Sequence, residues 1–202
     1  MRVVLATRSA GKLKEMRPLL EAAGFEPVDL ASLGIEETPM EAGIECFDTF
    51  EENAIAKARY FGSLAGLPAI ADDSGLEVDA LAGRPGVHSK RWSKRDDLEG
   101  QALYDANNEL LLRELGHNPD RTARYRCAAA FVDGTRELVA LGSTEGKIVD
   151  EPRGQQGFGY DPYFESAELG RTFGECDVPT KEAISHRGRA MRALLSLLRD
   201  GR

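Results

Sequence analysis

Apolar residues fall along this chain in short blocks whose spacing switches between strand-like and helical. Val3-Val4-Leu5-Ala6 is a continuous apolar run, so Arg2 to Ala6 reads as a short buried strand. The polar turn Thr7-Arg8-Ser9-Ala10-Gly11 separates it from a helical pattern over Lys12 to Ala23, which Gly24 stops. A second strand is expected around Pro27 to Leu30. The acidic stretch from Ser32 to Asp48 has no clear period and reads as a surface loop. Thr49-Phe50-Glu51-Glu52 fits a capping box, in which a hydroxyl and a carboxylate satisfy the first free N–H groups of a helix running to about Leu64. On that helix Asn53, Lys57 and Tyr60 share a face.

Pro68-Ala69-Ile70-Ala71 is a compact strand pattern, predicted to end in Asp72-Asp73-Ser74-Gly75, with Leu76 to Asp79 extended again. A Gly/Pro-rich loop from Gly83 to Trp92 precedes a long amphipathic helix from Ser93 to Leu115, ended by Gly116. Arg121 to Val132 and Arg136 to Val149 are β-rich runs joined by Asp133-Gly134, a dipeptide suited to the positive φ angles of a tight hairpin. A glycine-rich loop from Pro152 to Pro162 follows, and a helix is expected from about Lys181 to Arg199. Strands and helices alternate at first and a hairpin follows. The fold class is therefore α/β, a mixed sheet flanked by helices in one domain.

Composition narrows the function. A chain of 202 residues buries one sizeable core. No apolar run approaches the ~20 residues that cross a bilayer, and the segment after Ala6 turns polar without a cleavage-site pattern, so a cytoplasmic protein with no membrane partner is expected. Cys46, Cys127 and Cys176 are odd in number and lack C-x-x-C spacing, which indicates ordinary reduced thiols. A net charge of -8 repels polyanions at long range and argues against a nucleic-acid partner. A small phosphate ligand would need a metal ion and a local basic cluster.

Four segments carry candidate chemistry. Thr7, Arg8, Ser9, Ala10, Gly11 and Lys12 form a strand-to-helix turn, where free N–H groups, the helix dipole and a lysine can cradle phosphate. The segment is not a Walker A loop, and a plain turn with a surface lysine is the competing reading. Asp72 and Asp73 supply hard oxygen ligands for Mg²⁺, and one of them could deprotonate a water. The competing reading is a hydrophilic turn. In Gly157-Phe158-Gly159-Tyr160-Asp161-Pro162, glycines let the backbone approach a flat ligand, Phe158 offers a stacking face and Asp161 offers acceptors; an aromatic plug at a core edge reads equally well. Lys181, Ser185 and Arg189 recur at i, i+4 and i+8 beside His186 and Arg187, either as anion donors or as a solvated helix face.

In this order the four segments resemble the HAM1-like inosine triphosphate pyrophosphatase family, the dITP/XTP pyrophosphatases. The resemblance spans nearly the whole chain. It rests on Thr7-x-x-x-x-Lys12, Glu52-Asn53-Ala54 with Lys57-Ala58, Ile70-Ala71-Asp72-Asp73-Ser74-Gly75-Leu76, Pro85-Gly86-Val87, Gly157 to Pro162, and Ile184-Ser185-His186-Arg187-Gly188. It implies an elongated two-lobed fold with a cleft, a homodimer, and Mg²⁺-dependent hydrolysis of ITP, dITP and XTP to the monophosphate and pyrophosphate. By the same resemblance, Thr7 to Lys12 hold the triphosphate, Asp73 binds Mg²⁺ and accepts the proton of the attacking water, and Ser74 touches the substrate. Phe158, Gly159, Tyr160, Asp161, Lys181, His186 and Arg187 enclose the nucleotide, the last two near the base, with Asn53, Lys57 and Asp72 in support.

Three positions depart from the family pattern: Ser9 stands for the usual Asn, Thr180-Lys181-Glu182 for Glu-Lys-Asn, and the acid before Glu-Asn-Ala is ambiguous. Glu41 is taken as that second metal ligand, with Glu45 as the alternative. Two rival functions stay open: cleavage at the γ-phosphate, and a catalytically silent nucleotide-binding module.

Overall fold

A computed structural model describes residues 1–200, Ala42 by its backbone alone. Among these residues six strands, β1 (Arg2–Leu5), β2 (Glu26–Asp29), β3 (Ala69–Val78), β4 (Thr122–Val132), β5 (Glu137–Ile148) and β6 (Phe164–Ser166), make one sheet in the order β2-β1-β3-β4-β5-β6. β1 is parallel to β2 and to β3, with Leu5 opposite Asp29 and Ile70, whereas β5 and β6 are antiparallel. Five helices accompany the sheet: α1 (Ala10–Ala22), α2 (Phe50–Ala65), α3 (Gly100–Leu115), α4 (Val178–Ile184) and α5 (His186–Asp200). The expected mixed α/β architecture is what forms. None of these helices is long and apolar enough to cross a membrane.

The chain divides into two compact units. The first takes Met1–Asp73, Cys127–Gly142 and the chain from His186 on; the second takes Ser74–Arg126 and Ser143–Ser185. In the first unit Val3, Leu5, Ile70, Cys127, Ala129 and Phe131 form a buried apolar layer, covered by Met16 and Leu20 of α1 and by Ala190, Met191, Leu194 and Leu198 of α5. The spacing of those α5 residues is the 3.6-residue period of a helix laid on a sheet. Gly142 lets α5 come close, because a Cβ there would collide with the His186 carbonyl and the Ala190 amide. The second unit closes around Leu76, Val78, Leu111, Tyr125, Phe164 and Phe173. Tyr125 packs edge-on to Phe164 at 4.7 Å and stacks on Phe173 at 5.9 Å.

Several elements differ from expectation for identifiable reasons. Asp72-Asp73-Ser74-Gly75 is not a strand end but the middle of β3. β3 lies between β1, which pairs with it at Ala69 and Ile70, and β4, and its position inside the sheet overrides the turn preference of those residues. α3 starts at Gly100 instead of Ser93, since Lys94 and Gly100 both take positive φ and interrupt the helical pattern. The last helix is two helices broken at Ser185, whose ψ of 151° is extended. Asp177 caps the first of them by accepting the Thr180 amide at 3.0 Å. Lys181 and Arg189 therefore do not share a face: one belongs to the second unit, the other to the first. The Asp133-Gly134 turn forms as predicted, with Gly134 at φ 86° and Asp133 Oδ1 accepting the Arg136 amide at 2.9 Å.

Candidate active site

Each unit gathers its own set of candidate side chains. In the first, Ser9 is the N-cap of α1: its Oγ accepts the Lys12 amide at 3.4 Å, and its own amide donates to Thr7 Oγ1 at 3.2 Å. Ser9 thus supplies the cap and leaves the positive end of α1 at this turn. Lys12 reaches β3, where Nζ donates to the Asp72 carbonyl at 3.2 Å and lies 3.2 Å from Asp72 Oδ2. The same Oδ2 accepts Arg187 Nε at 2.9 Å, and Arg187 also pairs with Glu15 of α1. Burial opposes ionisation of Asp72, but Lys12, Arg187 and Lys57 outweigh it and hold the carboxyl well below the usual carboxylate range. Burial, reinforced by the Asp72 charge, pushes the neighbouring Cys127 thiol far up, so it stays protonated.

Asp73 has the opposite environment, because consecutive strand residues point to opposite faces. Asn53 of α2 donates Nδ2 to Asp73 Oδ2 at 3.1 Å and is itself fixed by Phe47, whose amide it accepts at 3.0 Å and whose carbonyl it meets at 3.1 Å. Lys57, one turn along α2, pairs with Glu45. Burial pushes the Asp73 carboxyl up; Lys12 and Lys57 pull it down, while Glu45 and Asp72 push it up, and the net shift is upward. Two adjacent carboxyls thereby shift in opposite directions, Asp72 down and Asp73 up.

No group of three or more His, Cys, Asp or Glu among the described residues forms a cage for a metal. Mg²⁺ does not require one, since it is commonly held by one or two carboxylates with waters and substrate phosphates completing its octahedron. Asp73 and Glu45 fit that donor set: both are hard oxygen ligands, and their mutual repulsion would be relieved by a cation. Glu41, the second ligand expected from the sequence, is held by Arg8. Its two oxygens accept Arg8 Nε and NH2 at 3.1 and 2.7 Å, and Arg8 also donates to the Ile35 and Glu36 carbonyls. Arg8 and Glu41 together clamp the acidic loop to the β1–α1 turn.

The second unit holds the glycine-rich loop. Asp161 Oδ2 accepts the Phe158 amide at 2.7 Å and Lys181 Nζ at 2.6 Å. The Lys181 ammonium lies 5.0 Å from the centroid of the Phe158 ring and 5.4 Å from that of Phe173, so a cation joins two aromatic faces. Gly157 takes a φ of 77°, and a Cβ there would strike the Asp161 carboxylate. Tyr160 is buried, and its hydroxyl donates to the Ser89 carbonyl at 2.8 Å.

The model of the Ham1 family matches residues 3–197. This chain belongs to the Ham1 family. It is 48% identical over 203 residues to a dITP/XTP pyrophosphatase of Frankia alni, covering 99% of this chain and 98% of that one. A dITP/XTP pyrophosphatase of Halorhodospira halophila is 46% identical over 200 residues, with 96% of each chain covered. Among solved structures, a HAM1 protein from Coxiella burnetii superposes with a TM-score of 0.84 at 36% identity, covering 99% of both chains.

In this Ham1 chain the structure brings Thr7, Ser9, Lys12, Asn53, Lys57, Asp72 and Asp73 together in one unit, and Phe158, Gly159, Tyr160, Asp161 and Lys181 in the other. Ser74 is half-buried on β3, just past Asp73. Arg187 is 2% exposed, and its guanidinium is held by Asp72 and Glu15. His186 beside it is buried as well. Tyr160 is likewise an anchor within the fold. Sequence reasoning missed Glu15, Cys127 and Phe173, which carry no motif and act only through tertiary contacts.

Proposed function

We propose that this chain is a Mg²⁺-dependent nucleoside triphosphate pyrophosphatase acting on non-standard purine nucleotides, ITP, dITP and XTP, as a cytoplasmic homodimer. The observation that carries the reading is the division of labour between Asp72 and Asp73. Lys12 and Arg187 hold Asp72, whereas Asn53 orients the Asp73 carboxylate through Oδ2 at 3.1 Å, as a group that takes a proton from water requires. The names of the relatives at 46% and 48% identity support the substrate class.

In the first unit the β1–α1 turn offers helix N-terminal amides and Lys12 to the phosphates, and Asn53 orients the Asp73 carboxylate by holding Oδ2. A water oxygen attacks the α-phosphorus, its proton passes to Asp73, and the α–β bridging P–O bond breaks with its electron pair leaving on pyrophosphate. Mg²⁺, held by Asp73 and Glu45, would supply positive charge against the triphosphate. Asp72 keeps Lys12 and Arg187 in place without meeting the substrate. In the second unit Phe158 offers a stacking face for the base, backed by the Lys181 ammonium. Selection for a 6-oxo purine follows from polar groups left unpaired when adenine presents an amino group instead.

The test is product analysis with ITP, XTP, ATP and GTP in the presence of Mg²⁺. Pyrophosphate from ITP and XTP in preference to ATP and GTP supports the reading; orthophosphate, or no turnover, overturns it. Sedimentation of the purified chain tests the dimer.

A further inference from the structure

α3 carries two adjacent asparagines that no motif singled out. Asn107 and Asn108 are 3% and 4% exposed on a helix whose other buried residues are Leu111 and Leu115. A buried amide is unfavourable unless its hydrogen bonds are made. Asn107 makes them with the preceding loop: Oδ1 accepts the Ser93 amide at 2.8 Å, and Nδ2 donates to the Lys90 carbonyl at 3.0 Å. Asn108 reaches a different segment. Its Nδ2 donates to the Gly159 carbonyl at 3.1 Å, while its Oδ1 is buried without a hydrogen-bond partner. Leucine would occupy this position without burying an unpaired oxygen, so what the amide adds here is its contact with Gly159.

That contact lies where it controls Phe158. The Phe158 amide is fixed by Asp161 Oδ2 at 2.7 Å, and the carbonyl of the next residue is fixed by Asn108. Gly159 takes a φ of 64°, a conformation glycine adopts freely and leaves as freely, so its carbonyl needs an outside partner to keep one direction. Tyr160, the following residue, is tied to Ser89, and Asn107 holds the adjacent Lys90, so one pair of asparagines secures both the loop and its support.

We propose that Asn108 is a positioning residue for the substrate base: by holding the Gly159 carbonyl it fixes the direction in which the Phe158 ring is presented. The inference rests on the reading of Phe158 as the stacking face for a purine.

The experiment uses the full chain and its Asn108→Leu and Asn108→Asp variants, with ITP and Mg²⁺. Pyrophosphate release gives kcat and KM, and inhibition is measured separately with inosine and with inorganic pyrophosphate. Asn108→Leu cannot donate to Gly159 and also removes the unpaired oxygen, so it melts close to the parent chain, while Asn108→Asp, assayed at a pH where it is ionised, presents only acceptors to that carbonyl. The expected result in both variants is a KM for ITP and an inhibition constant for inosine raised roughly tenfold, the loss of one hydrogen bond's worth of positioning. kcat and inhibition by pyrophosphate stay unchanged. Unchanged KM and inosine inhibition in an active, folded Asn108→Leu protein overturn the role of Asn108 and leave the activity standing. Equal weakening of inosine and pyrophosphate reduces Asn108 to a general structural part and overturns the proposal too. A parent chain that releases pyrophosphate from no purine triphosphate removes the functional reading and this inference together.

Discussion

Arg187 Nε donates to Asp72 Oδ2 at 2.9 Å, tying the first turn of α5 to the middle of β3 across 115 residues of sequence. Lys12 approaches the same oxygen from α1, so one buried carboxylate fixes the two helices that cover this face of the sheet. Removing one partner of a buried ion pair leaves the others uncompensated and costs about 3–5 kcal/mol. Asp72→Ala is therefore expected to lower the Tm by about 10 °C, read by calorimetry. The folded pKa of Asp72 is depressed, so its contribution is present above the unfolded value and is lost as pH falls toward the folded one. Acid titration should destabilise the parent chain more steeply than the variant.

Asp73 has the reverse sign. Its folded pKa is raised, so the neutral form's stability is complete below the unfolded value and is lost as pH rises through the folded one. At pH 8 without metal, Asp73→Asn should therefore melt higher than the parent chain, read by calorimetry. Turnover should fall by about 10²–10⁴. A variant that is both less stable and still active would remove Asp73 from the chemistry.

Glu45 and Glu41 can be told apart by metal requirement. Glu45→Gln should raise the Mg²⁺ concentration for half-maximal rate roughly tenfold, the loss of one charged ligand. Glu41→Gln should leave it unchanged and loosen the acidic loop, which limited proteolysis would show. The opposite ranking would return the ligand role to Glu41.

Gly142→Ala tests the packing of α5. A Cβ at this position meets backbone of His186 and Ala190, which cannot rotate away, so overpacking should cost about 1–3 kcal/mol and lower the Tm. A neutral substitution would mean that α5 can shift outward.

Local signals were readable where one residue acts on its near neighbours. Thr49 caps α2 through Glu52, Asp133-Gly134 makes its hairpin, and the apolar period of α5 covers the sheet as its spacing predicts. The ordered motifs also singled out Asp73, Lys12 and Phe158 as candidate site residues before any fold was known. Ser185 shows the limit: the basic residues around it read as one helix, and a single extended ψ divides them between two units.

The sequence by itself determined the α/β class, the family and the residue types of the site, because periodicity, caps and motif order are properties of the chain. Only the tertiary structure decided what those residues do to one another. Asp72 and Asp73 are identical in side chain and adjacent in sequence, and their proton affinities part because the strand turns one toward Lys12 and Arg187 and the other toward Asn53 and Glu45. Electrostatics depends on distance and burial, and both are set by contacts between residues far apart in the chain.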